Sequence, residues 1–189
     1  MWQGDRFRRT CKRFDLPGQA HGLTFSCYKS RNFLSVERTC RWLAESINAA
    51  RHKLDFSLWG YVFMPNHVHL LIRPCRNSRS IANILKTIKE PVGRKAIAYL
   101  NANNPCALAQ LTTDQQYRRY RFWQKGGGSD RNVNRFETLV ECLEYIHNNP
   151  VRKGLAERPE QWLYSSAGEW LDGTPGPIRI DKEDWPAFI

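Results

Sequence analysis

The segment from Gly60 to Pro74 reads GYVFMPNHVHLLIRP, and its second half sorts by parity. As a strand it sets His67, His69, Leu71 and Arg73 on one face and Val68, Leu70 and Ile72 on the other. The second face is unbroken apolar surface and predicts a buried side. Residues 54–63, rich in aromatic and branched side chains, predict a preceding strand, joined to the first through Met64, Pro65 and Asn66 as a hairpin. Upstream, His21–Tyr28 predicts another strand, with Leu23, Phe25 and Cys27 alternating against Thr24 and Ser26.

Three stretches carry helical spacing instead. Val36, Cys40, Leu43, Ile47 and Ala50 predict a helix to about Lys53, capped by Ser35. Ile81, Ile84, Leu85 and Ile88 predict a second, interrupted or kinked at Pro91. Phe136, Leu139, Val140 and Leu143 predict a third over about 134–148, stopped by Pro150. Near its end Tyr145 and Asn149 stand four apart, one above the other on one face. Residues 101–117 lack periodicity and read as a loop. A single domain over 20–168 is expected, with a basic arm at 1–19 and a tail at 169–189 whose DWPAFI end is apolar enough to dock on the body.

Composition narrows the partner. With 41% hydrophobic residues and seven tryptophans among 189 residues the chain should fold. Its net charge of +11 points to a polyanion, nucleic acid first, or to a merely basic soluble protein. No apolar run approaches the ~18 residues of a membrane span, and the N-terminal MWQGDRFRRTCKRFD lacks a signal peptide's apolar core, so a cytoplasmic protein is expected. Six scattered cysteines without a C-x-x-C pair predict free thiols. In YRRYRFWQ, residues 117–124, Arg118, Arg119 and Arg121 interleave with rings including Trp123. That pattern fits single-stranded nucleic acid, or an edge strand with its rings turned inward. Gly126, Gly127, Gly128 and Ser129 follow as a flexible nest for a phosphate. Arg73, Arg152 and Lys153 are further candidate nucleic-acid contacts.

Two imidazoles side by side are potential metal ligands, or residues that merely edge a sheet. A divalent ion held by His67, His69 and the Asn149 side-chain oxygen would keep open positions for phosphate oxygens and act as a Lewis acid. Tyr145 would then be the nucleophile, its phenol activated by the nearby cation; otherwise it is a core-edge tyrosine beside a helix-ending asparagine. Attack on a DNA phosphodiester would leave a phosphotyrosine that conserves the bond energy, so strands could be rejoined without an external energy source. His147 lies off the Tyr145 face and reads as structural or a DNA contact, while Trp162, Tyr164, Ser165 and Ser166 read as packing and capping residues.

PNHVHLLI, YIHNNPVRKGL and the downstream WLYSS, in that order, resemble the single-tyrosine HUH transposases, most closely the REP-associated tyrosine transposases of bacteria. The resemblance runs from about residue 20 to about 168. It implies an α+β, ferredoxin-like antiparallel sheet with helices packed on one face, the HUH endonuclease fold. It also implies a Mg²⁺- or Mn²⁺-dependent transposase and nickase acting on single-stranded DNA with hairpins, as monomer or homodimer, through a 5′-phosphotyrosine. By motif position His67 and His69 match the metal histidines and Tyr145 the nucleophile; Asn149 falls where insertion-sequence relatives carry a glutamine as third ligand. Two other readings stay open. One is a catalytically silent hairpin-DNA-binding protein; the other is a histidine-triad nucleotide hydrolase, which needs a third histidine where Leu71 stands.

Overall fold

The structure, a computed structural model, describes residues 19–75, 80–115, 118–126 and 128–186. The expected basic arm, the end of DWPAFI, Tyr117, Gly127 and the Arg118 side chain lie outside the described residues. Four antiparallel strands form the sheet in the order β2-β3-β1-β6, from β1 (Ala20–Ser26), β2 (Phe56–Phe63), β3 (His67–Pro74) and β6 (Ser129–Val133). β2 and β3 make the expected hairpin. β4 (Thr112–Gln115) and β5 (Arg118–Tyr120) pair separately as a small ribbon.

Side-chain parity decides what each face carries. Leu23, Phe25, Val68, Leu70 and Ile72 enter the main core with α1 (Glu37–Leu54) and α2 (Ile81–Asn103). Leu71, Val62 and Trp59 face the other way and pack with Leu139, Leu143 and Ile146 of α4 (Phe136–His147). The α+β fold and the antiparallel sheet match the expectation, but the helices are not confined to one face. The apolar patch beside the histidines gives α4 a second seat, so both faces are covered.

Other boundaries moved for identifiable reasons. Ser35 closes a short 3₁₀ turn, and Val36 occupies the N-cap of α1 with no side-chain cap. α2 runs unbroken through Pro91: Ile84, Leu85, Ile88, Val92 and Ala96 are buried on both sides of it, and Ser46 donates from α1 to the Ile88 carbonyl in the same turn. Tertiary packing overrides the lost N–H. The stretch expected as a loop holds the end of α2, a short α3 (Pro105–Leu108), a 3₁₀ turn and β4. Pro150 does not end α4; the helix closes at His147, and Pro150 opens α5 (Asn149–Arg152), a first-turn position where its missing N–H costs nothing.

After α6 (Ala167–Leu171) the tail becomes part of the body. Ile178 and Ile180 join the main core, Tyr61 Oη accepts from the Ile178 N–H, and Asp181 bonds both backbone groups of Leu58 on the edge strand β2. Trp185 packs edge to face against Trp59 and Trp170. The five described cysteines are free, and burial pushes the thiols of Cys27 and Cys40 up to about 12, leaving them as inert core groups. No helix among the described residues is long and apolar enough to cross a membrane.

Candidate active site

His67 and His69 stand on the β3 face turned toward α4, ring centroids 4.8 Å apart and nearly perpendicular. Each has a partner for Nδ1. Asn66 Oδ1 lies 2.6 Å from His67 Nδ1, and because an amide oxygen only accepts, it holds the His67 proton on Nδ1 and leaves Nε2 as a lone pair. On the neighbouring strand Thr24 faces His69, its Oγ1 2.8 Å from His69 Nδ1. His69 is buried, and its Nε2 has no hydrogen-bond partner among the described residues. Burial pushes the His69 imidazole down to about 4, with the His67 charge acting in the same direction. The His67 pKa is also lowered, by burial first and then by Lys153. Both rings are therefore neutral near pH 7, the state that ligates metal.

Tyr145 reaches the same spot from α4. At Gly60 the helix comes so near β2 that a Cβ would lie 2.5 Å from Leu143 Cδ1, so glycine there lets α4 sit close to the sheet. Leu139, Leu143 and Ile146 anchor the buried side, and Tyr145, on the other side of the helix, is 47% exposed. Its ring stands 5.7 Å from that of His69, perpendicular to it. The Arg152 guanidinium lies 5.0 Å from the Tyr145 ring centroid. Asn149 is buried, and its Nδ2 donates to the Tyr145 carbonyl at 2.9 Å, which leaves the amide oxygen for another partner.

The structure thus gathers His67, His69, Tyr145, Arg152 and Lys153, and ties Asn149 to Tyr145. The remaining candidates sit elsewhere. Arg73 lies about 20 Å along β3 from His67 by strand rise; it covers Trp59 and pairs with Asp184 at 3.7 Å. Trp123 is buried, edge to face with Phe25, and donates to the Lys89 carbonyl, so its ring is spent on the core and not on the surface. Arg119 is exposed beside Tyr120, and Arg121 lies half-buried near the Tyr28 ring. Gly128 serves a close approach to β1: at φ +76°, its Cβ would fall 1.7 Å from the Thr24 carbonyl oxygen.

His147 is buried against Ser166 Oγ at 2.8 Å, a structural role; the same hydroxyl accepts from the Tyr61 N–H. Trp162 donates to the Phe63 carbonyl, Tyr164 stacks on Phe63, and Ser165 caps Ala167. Sequence reading missed Thr24, Asn66 and Gly60. Asn66 had a signal, since it directly precedes His67; Thr24 had none, because its role comes from strand pairing.

Among the described residues no group of three His, Cys, Asp or Glu side chains gathers to hold a metal ion. Two neutral imidazoles and one amide are the donor set, and the buried Nε2 of His69, which has no hydrogen-bond partner among the described residues, offers a lone pair when Thr24 Oγ1 accepts from Nδ1. Imidazole nitrogens with an amide oxygen suit Mn²⁺ better than oxygen-seeking Mg²⁺, and a neutral donor set would leave a bound cation's charge for a phosphate anion.

No protein-family model matches the chain. Over 157 residues it is 27% identical to a curated Haemophilus influenzae protein whose name proposes a REP-associated tyrosine transposase, spanning 79% of this chain and 81% of that one. A solved REP-associated tyrosine transposase bound to a REP hairpin has a similar fold, with TM-score 0.65 and 16% identity over 94% of this chain and 93% of its own.

Proposed function

We propose that this chain, which resembles the REP-associated tyrosine transposases in sequence and fold, cleaves and rejoins single-stranded DNA at hairpins through Tyr145. The observation that carries the reading is the meeting of an exposed phenol with one of two adjoining neutral imidazoles, His69, whose Nε2 is buried without a partner among the described residues. His67 and His69 would hold Mg²⁺ or Mn²⁺, with the Asn149 oxygen as third donor, and the ion would supply Lewis acidity toward the scissile phosphate.

Tyr145 Oη attacks the phosphorus; a P–O bond to the phenol forms as the bond to the 3′ oxygen breaks. The phenolic proton ends on that oxygen, giving a 3′ hydroxyl and a 5′-phosphotyrosine. Reversal by another 3′ hydroxyl rejoins strands. Arg152, packed over the Tyr145 ring, and Lys153, close enough to His67 to depress its pKa, add positive charge beside the transferring phosphate. The place of this work is the cytoplasm, alongside chromosomal DNA.

The test is a covalent protein–DNA adduct formed with a hairpin bearing a single-stranded flank in the presence of Mn²⁺. Tyr145→Phe should abolish the adduct while hairpin binding survives. Adduct formation by that variant would remove Tyr145 from the role, and a wild-type chain that binds hairpins with no adduct would favour the silent DNA-binding reading.

A further inference from the structure

A second basic surface lies on the opposite side of the sheet from the histidines. It is a groove of about 680 Å³ between α2 and the strip from Tyr120 to Gly126. On α2, Lys86, Lys89, Glu90, Gly93, Arg94 and Ile97 recur at three- and four-residue steps, so one helical face forms a wall. The strip forms the other, with Arg121 and Lys125. Five cations thus meet one carboxylate. Lys89 braces the two walls, its Nζ donating to the Gly126 carbonyl at 3.0 Å, while Phe122 and Trp123 are buried in the main core beneath. Lys86, Arg94 and Lys125 are exposed, and Tyr120 offers a half-buried ring.

The strip also fixes where the groove lies relative to the candidate active site. Gln124 donates its N–H to the Ser26 carbonyl, and Ser26 is the cross-strand neighbour of His67. Groove and histidines therefore occupy opposite faces at the same end of the sheet. A DNA strand leaving the Tyr145 side has only to round that end to reach the groove.

We propose that this groove grips the phosphodiester backbone of single-stranded DNA continuing from the reacting phosphate, with Tyr120 as a stacking platform. The occupant is a single strand and not a duplex stem because the groove combines a line of cations with an aromatic ring, and a base can stack there only if it is unpaired. The inference rests on the single-stranded-DNA reading above and adds a contact surface remote from the catalytic residues.

The experiment is a salt titration of binding to oligothymidine and to a blunt hairpin lacking any flank, using the full chain and Lys86→Gln/Arg94→Gln/Lys125→Gln. Each lost phosphate contact lowers the log–log salt slope for a single strand by about 0.7, so the triple variant should lose about 2 from its oligothymidine slope. The blunt-hairpin slope should stay put. Charge-conserving Lys86→Arg/Arg94→Lys/Lys125→Arg should keep the wild-type slope, and Tyr120→Ala should weaken oligothymidine binding by about tenfold. The substituted cations are exposed, and matching circular dichroism spectra confirm an intact fold. An unchanged oligothymidine slope, or an equal loss on the blunt hairpin, would overturn the groove while leaving Tyr145 chemistry standing. Failure of the wild-type chain to bind either DNA would overturn both.

Discussion

The Tyr145 ring meets the His69 imidazole edge to face, centroids 5.7 Å apart at 86°. Neither residue's local sequence sets that meeting. It depends on α4 seating at Gly60 and on Thr24 fixing the imidazole from the next strand, so the site should be sensitive to residues that never touch substrate.

Metal binding should report the hydrogen bonds behind the ligands. Thr24→Val removes the Nδ1 partner of His69 and should weaken Mn²⁺ affinity by about tenfold or more, with Thr24→Ser restoring most of it. Asn149→Ala should weaken Mn²⁺ binding and also cost about 1 kcal/mol by deleting its bond to the Tyr145 carbonyl, whereas Asn149→Gln should retain binding. Isothermal titration calorimetry reads both, with apo-protein melting as the control for folding. Unchanged affinity in Asn149→Ala would exclude it as a ligand.

Two glycines with positive φ should respond differently. At Gly128 a methyl would strike the Thr24 carbonyl, so Gly128→Ala should cost about 2 kcal/mol or more and also lower Mn²⁺ affinity through the Thr24–His69 contact. A methyl on Gly154, at φ +66°, would meet no described residue beyond its chain neighbours within 4 Å, and Gly154→Ala should cost only about 1 kcal/mol and leave metal binding alone. Urea unfolding measures the difference. Equal costs would contradict the close approach at Gly128.

Acid should destabilise the apo fold through its buried histidines. His69 and His147 are each held down to about 4 from the ordinary 6.5, mainly by burial. Between those values the unfolded chain binds more protons, so their contribution to stability is fully present above about 6.5 and is lost as pH falls toward 4. The slope is up to about 1.4 kcal/mol per pH unit for each residue. His147→Gln should flatten the pH dependence of urea stability across this window. An unaltered pH profile would show that His147 does not contribute.

The β3 pattern was legible because alternation alone separates His67 and His69 from Val68, Leu70 and Ile72, and the structure keeps that division. Tyr145 and Asn149 were legible as neighbours because helical spacing fixes them, even though the helix turned out to break between them. Thr24, Gly60 and Gly128 were not, since cross-strand pairing and close approach are relations between distant segments. Trp123 was legible only as a choice: among arginines its ring read either as a nucleic-acid contact or as turned inward, and its bridge to Cys27 turns it into the core. The tail was expected to dock by its DWPAFI end alone, because its other anchors, Ile178, Ile180 and Asp181, carry no periodicity.

The most direct test of the central claim is mass-spectrometric mapping of the peptide left attached to DNA after reaction of the full chain with a hairpin substrate and Mn²⁺. The account predicts one linkage, a 5′-phosphate ester on the Tyr145 oxygen, absent in His69→Ala. A linkage to any other residue, or to the 3′ end of the DNA, would contradict it.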